Sequence, residues 1–371
     1  MSAYIPPHKR HTKGSPSPKP SPAPESLIPT FKKNLNFGNQ KRKEKYLGGI
    51  LYAHDAVSKW FPVGLTVDDS QFSSLVRLQP VSVERKSGDK PLSLVLMEGT
   101  NQLLDKPWLL VAKIVTEDLL LSFQHVKCEM EQSNMEELKP TLVARFGRIL
   151  FYGNSSNSQE SLKSPLGETA LRQMKKSFYT NVPLSYMEYI GNLPFETLGL
   201  EYGEEKELYY IKLSDNLRSD STVSCRCAIA EDQKRIQLYK IEVNQVRHMV
   251  EDMSCLGKSS DLRLMLHTKK IMTALSDEEI AGIKNLIDSG ILDSEVKGGL
   301  RWPIGKDSSG GRYAVIGVWH TTAKSYGNLS IRFKLRHADR FDFRSSTSEV
   351  SWETSLKMPG IVSQLRVGFF L

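Results

Sequence analysis

No run of eighteen or more uncharged apolar residues occurs in the 371 residues, so no segment can cross a membrane as a helix. The start of the chain also lacks the hydrophobic stretch of a secretory signal, reading Tyr4-Ile5-Pro6-Pro7-His8-Lys9-Arg10 soon after Met1. Cysteine is scarce, at four residues, and Cys225 and Cys227 form a C-x-C with neither a second pair nor a histidine three to five residues later. That spacing is not one that holds zinc, and reduced structural thiols are expected, with both side chains on one face of a strand. Signatures of familiar enzymes are missing too: there is no G-x-S-x-G, no H-E-x-x-H and no G-x-G-x-x-G following a strand. Gly305-Lys306 would need glycine in place of Leu300 and a hydroxyl in place of Asp307 to make a phosphate-binding loop. No cofactor or catalytic residue is implied.

Charge is present in quantity and unevenly placed. Lys and Arg number 50 against 42 Asp and Glu, a net charge of +8. Residues 1–46 hold ten of the basic side chains and two of the acids, so the remainder of the chain is neutral. The same segment holds eight of the eighteen prolines, many alternating with serine between Ser15 and Pro22. Such a composition favours solvated polyproline conformations, and residues 1–46 are expected to be a disordered basic tail. Its cations, among them Lys41, Arg42 and Lys43, offer electrostatic contact to RNA or an acidic protein. The Ser-Pro pairs at 15, 17 and 21 would accept phosphate and cancel part of that field. The prolines oppose the amphipathic helix of a transit peptide, so cytoplasm or nucleus is the expected compartment, with organellar import as the alternative.

From residue 47 to 371 the pattern alternates between helical and two-residue periods. Pro107 opens the clearest helix, with Trp108, Val111, Val115, Leu119, Phe123, Val126 and Met130 on one stripe. A second helix is expected from Ser164-Pro165 through Leu171, Met174 and Phe178. A third follows Ser276, where Ser276 and Glu279 match a capping box and Ile280, Ile283 and Ile287 form the buried stripe. Strands are expected over 142–152, 208–213, 222–230, 236–243, 262–271, 313–321, 329–337 and 350–356. Short polar links between them favour hairpins. The fold class is therefore α+β, antiparallel sheets with a few packed helices, with room for two lobes meeting near 155–205, at 154–164 or at 199–205.

One strand carries a recognisable constellation. In Ser330-Ile331-Arg332-Phe333-Lys334-Leu335-Arg336-His337, alternation sends Ile331, Phe333 and Leu335 to one face and Arg332, Lys334 and Arg336 to the other, about 6.6–6.8 Å apart. Arg340 and Arg344 extend the row. It is either a contact for a phosphate backbone or a solvated face neutralised by cross-strand acids such as Glu349 or Glu353. Lys297, Arg301, Lys306 and Arg312, set among glycines, are a second basic group, in a loop between helix and sheet.

Tyr4, Ile5, Pro6, Pro7, His8, Lys9 and Arg10 resemble an element in the tails of some DEAD-box RNA helicases, with Lys9 standing where that element has leucine. The longer pattern resembles a family of plant proteins known as a domain of unknown function. It combines this opening with Leu142-Val143-Ala144-Arg145-Phe146-Gly147-Arg148, Asp261-Leu262-Arg263-Leu264-Met265-Leu266 and Val296-Lys297-Gly298-Gly299-Leu300-Arg301-Trp302-Pro303. That resemblance implies no activity. The residues themselves point to a non-enzymatic binding or adaptor protein, RNA-associated through its tail. The alternative is an enzyme of unrecognised family with a cleft between two lobes.

Overall fold

Two-residue alternation prevails over helical period in most of the chain, and the computed structural model is accordingly α+β and mostly antiparallel sheet. It describes residues 51–65, 69–83, 91–100, 103–132, 138–152, 167–230, 235–243, 245–270, 275–302 and 312–368. The basic tail, the helix start at Ser164-Pro165 and the possible boundary at 154–164 lie outside these. Lys45–Leu371 forms one compact unit.

In chain order the elements are β1 (Leu51–Val63), α1 (Asp69–Leu75), β2 (Val76–Pro80), β3 (Leu92–Leu96), α2 (Pro107–Gln132), β4 (Leu138–Tyr152), α3 (Glu168–Gln173), β5 (Lys175–Tyr179) and α4 (Leu184–Gly191). A 3₁₀ turn at Phe195–Leu198 leads to β6 (Glu201–Asp215), β7 (Arg218–Ile229), β8 (Ile236–Val243), β9 (Val246–Cys255) and β10 (Asp261–Lys270). The rest comprises α5 (Asp277–Asp288), β11 (Ile291–Leu292), β12 (Leu300–Arg301), β13 (Tyr313–Gly327), β14 (Arg332–Asp342), β15 (Thr347–Lys357) and α6 (Pro359–Val367).

The sheet runs β1-β9-β10-β4-β15-β14-β13-β6-β7-β8. Its far end, β8, leads within two residues back into β9 near the other end. The sheet therefore closes on itself as a ring of eight strands, counting β8 and β9 as one, and Lys269 of β10 bonds Glu242 of β8 at 3.1 Å across the seam. Closure removes the unpaired edges that so long a sheet would otherwise expose. Register shifts in β13, in β7 against β8 and in β9 against β10 supply the bends. β1 lies outside the ring, parallel to β9.

Helices cover the ring from outside. α2 and α6 place Leu119, Phe123, Val126, Val362 and Leu365 against Leu142, Ala144, Leu264, Leu266 and Met249. α5 seals β6, β7 and β8 with Ile283 and Ile287. Each is fully buried and worth about 1.5–3 kcal/mol. α5 begins with both halves of the expected capping box, the Glu279 N–H donating to Ser276 Oγ and the Ser276 N–H to the Glu279 carboxylate. α4 and the 3₁₀ turn cover β14 and β15 with Met187, Ile190 and Phe195 against Leu335, Phe333 and Trp352.

Three sequence expectations need correction. The helix over Leu171, Met174 and Phe178 stops at Gln173; Met174 is extended, and Lys175–Tyr179 pairs with the end of β4 instead. An available strand edge outweighed the helical spacing. Trp108 is 60% exposed and Ile280 is 40% exposed, so the buried stripes of α2 and α5 start one turn later than the periodicity implies. The end turn of a helix overhangs the sheet it packs on.

Candidate anion site in the barrel interior

Because the outer faces of the strands are largely apolar and pack against helices, the opposite face looks inward. On β4, Leu142 and Ala144 face out and Val143 and Arg145 face in. The registers carry this parity around the ring: Arg145 stands opposite Ser355, Lys334 opposite Ser355 and Ser325, Arg336 opposite Glu353 and Ala323, and Tyr210 opposite Trp319 and Arg226. Lys240 and Glu242 continue it on β8, and Lys269 on β10. A small apolar cluster of Val143, Val250 and Met265 interrupts a mostly polar lining.

Cations dominate this interior, and they feel one another across it. Burial and then Lys269, Lys334, Arg226 and Arg332 push Lys357 down to about 8. Lys357 lies on β15 and Arg226 on β7, four strand spacings apart, roughly 19 Å in a flat sheet. Their mutual repulsion follows from the closed ring, in which these strands face each other. Lys334 is likewise pushed down to about 8, by burial and then by Arg336, Arg226, Lys206 and Arg332. Burial, then Arg336, brings Arg145 down to about 10. His267 is held well below its ordinary value by burial and by Lys269 and Arg145, so it stands neutral at pH 7.

Two acids of the interior, Glu353 and Glu242, are saturated with partners. Burial alone would raise Glu353, yet Arg336 and Arg340, both bonded to its carboxylate, hold it down at about 2. Glu242 takes Lys240 at 2.7 Å, Arg226 at 3.0 Å and Lys269 at 3.1 Å, and is also held at about 2 against the effect of burial. No ion pair reaches Arg145, Lys334, Lys357 or Arg332 among the described residues. Arg226 Nε and Arg340 Nε are buried there without an acceptor. The interior thus carries more positive charge and more donors than its own carboxylates satisfy.

Residues 44–369 match the profile of the Domain of unknown function (DUF7903). The chain belongs to that family. No curated protein matches it in sequence. Among solved structures, the S. pombe Pct1 RNA triphosphatase shares 10% identity over 61% of this chain and 73% of that one, with a TM-score of 0.38. The same enzyme in complex with the Spt5 CTD gives 10% identity, 67% and 82% coverage and a TM-score of 0.40. A putative adenylate cyclase from Bacillus halodurans gives 12%, 51%, 84% and 0.23. Likeness at this level carries no chemistry to this chain.

Within the DUF7903 domain, the row foreseen at Arg332, Lys334 and Arg336 is brought together with five strands' worth of other cations. Arg340 joins it, whereas Arg344 lies beyond the strand end, its N–H bonded to Asp342. The neutralising acid foreseen at Glu353 does pair with Arg336, while Lys334 is left unpaired among the described residues. Lys41, Arg42, Lys43 and the segment Tyr4 to Arg10 lie outside the described residues, as does Lys306. Arg301 bonds Asp293 at 2.6 Å, and Arg312 bonds Asp215 and Glu279, so both are occupied as ion pairs. Arg145, Arg226, Lys269 and Lys357 were missed, although each sits at a polar position of an alternating strand. Alternation shows which residues share a face, and only closure shows that the polar face is the inside.

Cys225 and Cys227 do share a face, and it is the outer one beneath α5. Both are fully buried, and burial pushes the Cys225 thiol up to about 12 and Cys227 further up. Neither is a nucleophile at neutral pH.

Proposed function

We propose that this domain is a binding protein whose barrel holds a multiply charged oxyanion, of the oligophosphate type, in its interior. The observation that carries this reading is the group of Lys334, Lys357 and Arg145, on the inward face of neighbouring strands with no carboxylate in ion-pair contact among the described residues, Lys334 and Arg145 half-buried and Lys357 exposed at its strand end. Enclosed cations of one sign raise the energy of the empty barrel, and an anion placed among them converts that repulsion into attraction. Oxygen atoms of a phosphate chain also supply acceptors for the free Nε–H groups of Arg226 and Arg340. Since Glu242 and Glu353 are each engaged by two or more cations, the arrangement supports direct capture of the anion rather than hydrolysis assisted by a carboxylate-bound metal.

The test is calorimetric titration of tripolyphosphate into the full chain in a buffer containing EDTA. Saturable binding that is lost in the Lys334→Gln/Lys357→Gln variant supports the reading. No binding by the wild type, or equal binding by the folded variant, overturns it.

A further inference from the structure

α6 packs beside the end of the barrel where β14 begins and β15 ends, with Leu142 and Val362 of the outer core at the base of the cavity there. Arg332, Lys357 and Arg366, with the hydroxyl residues Thr141 and Ser363, line this cavity of about 280 Å³. Arg332 and Lys357 are direct cross-strand neighbours, and no carboxylate lines the cavity. Like charges placed opposite one another destabilise a sheet, and here a third cation is added to them. α6 fixes its position: Val362 and Leu365 are buried in the core under α2, which turns Ser363 and Arg366 toward the opening while leaving both exposed. Three cations and two hydroxyls around a small volume match a tetrahedral oxyanion, which needs several charge-assisted donors at once.

We infer that this mouth is a distinct subsite for a terminal phosphate group, with Arg366 of α6 as its capturing residue. The inference rests on the reading of the interior as an anion site, and adds to it the end by which the ligand is held and the kind of group presented there. A ligand that fills both places is a chain, with one phosphate at the mouth and further negative charge among Lys334, Lys357 and Arg145. The terminal phosphate could belong to a free oligophosphate or to a phosphate monoester of an organic molecule, which share this chemistry.

The experiment titrates the full-length protein, in EDTA, with tripolyphosphate and with phenyl phosphate. Arg366→Gln should weaken whichever probe the wild type binds by roughly ten-fold or more, the loss of one charge-assisted contact. Arg366→Lys should recover most of it, and Ser363→Ala should show a smaller loss. All three variants should melt as the wild type does, because both side chains are exposed. The tighter probe identifies the source of the phosphate. If Arg366→Gln binds as tightly as wild type while Lys334→Gln binds weakly, the mouth assignment is overturned and the interior reading stands. If the wild type binds neither probe, both fall.

Discussion

Arg332 and Lys357 stand directly opposite each other on adjacent antiparallel strands, both on the face that looks into the barrel. Two like charges in that register oppose folding unless something else compensates for them. The pair, exposed at the strand ends, continues the surplus of positive charge that lines the interior.

Removing that surplus should stabilise the empty protein. The Lys334→Gln/Lys357→Gln variant keeps similar volume and takes away two mutually repelling cations, so in phosphate-free, low-salt buffer it should melt at or above the wild-type temperature. A calorimetric scan that shows a clearly lower melting temperature would mean that these lysines are structural.

Stability and binding should respond to pH in opposite directions. Lys334 and Lys357 titrate near 8 when folded and near 10.4 in the unfolded chain, so between these values the unfolded state holds more protons. Stability of the unliganded protein should therefore rise with pH through that window, relative to the double variant. Oligophosphate affinity should fall over the same window as the lysines lose their charge. Melting and titration series from pH 7 to 10 check both signs.

Glu353 should be the acid whose loss is most damaging. It is 5% exposed and bonded to both Arg336 and Arg340, so Glu353→Gln leaves half-buried Arg336 without its counter-charge and Arg340 with only Glu349, at 3.8 Å. Urea unfolding should show a loss of about 3–5 kcal/mol. Added tripolyphosphate should restore part of this, since it offers the arginines new acceptors.

The basic tail and the barrel should be separable. Deleting residues 1–46 removes a net charge of +8 yet no residue of the barrel, so tripolyphosphate affinity should be unchanged. Any RNA binding by the full chain that vanishes on this deletion belongs to the tail, and its salt dependence measures the phosphates it neutralises.

Much of this fold was legible beforehand, and the reasons differ from element to element. α2 is long enough, and α5 capped clearly enough, for local signals to decide them. β5 could not be read, because Lys175–Tyr179 is a strand only through pairing with β4, about twenty-five residues earlier in the chain. The row at Arg332, Lys334 and Arg336 was visible as alternation, yet alternation reads the same for a solvated face and for a barrel interior. What separates them is that β8 runs into β9, closing the sheet, and no local pattern around Val243 and Val246 announces that. Arg145, Lys269 and Lys357 were missed for the same reason, since they converge only once the ring is closed.

The most direct test of an anion held inside the barrel is a crystal structure of the full chain grown with tripolyphosphate. Phosphate density is expected among Lys334, Lys357 and Arg145, with a terminal group reaching the mouth at Arg332 and Arg366. Tripolyphosphate bound only on the outer surface, with the interior holding water alone, would contradict it.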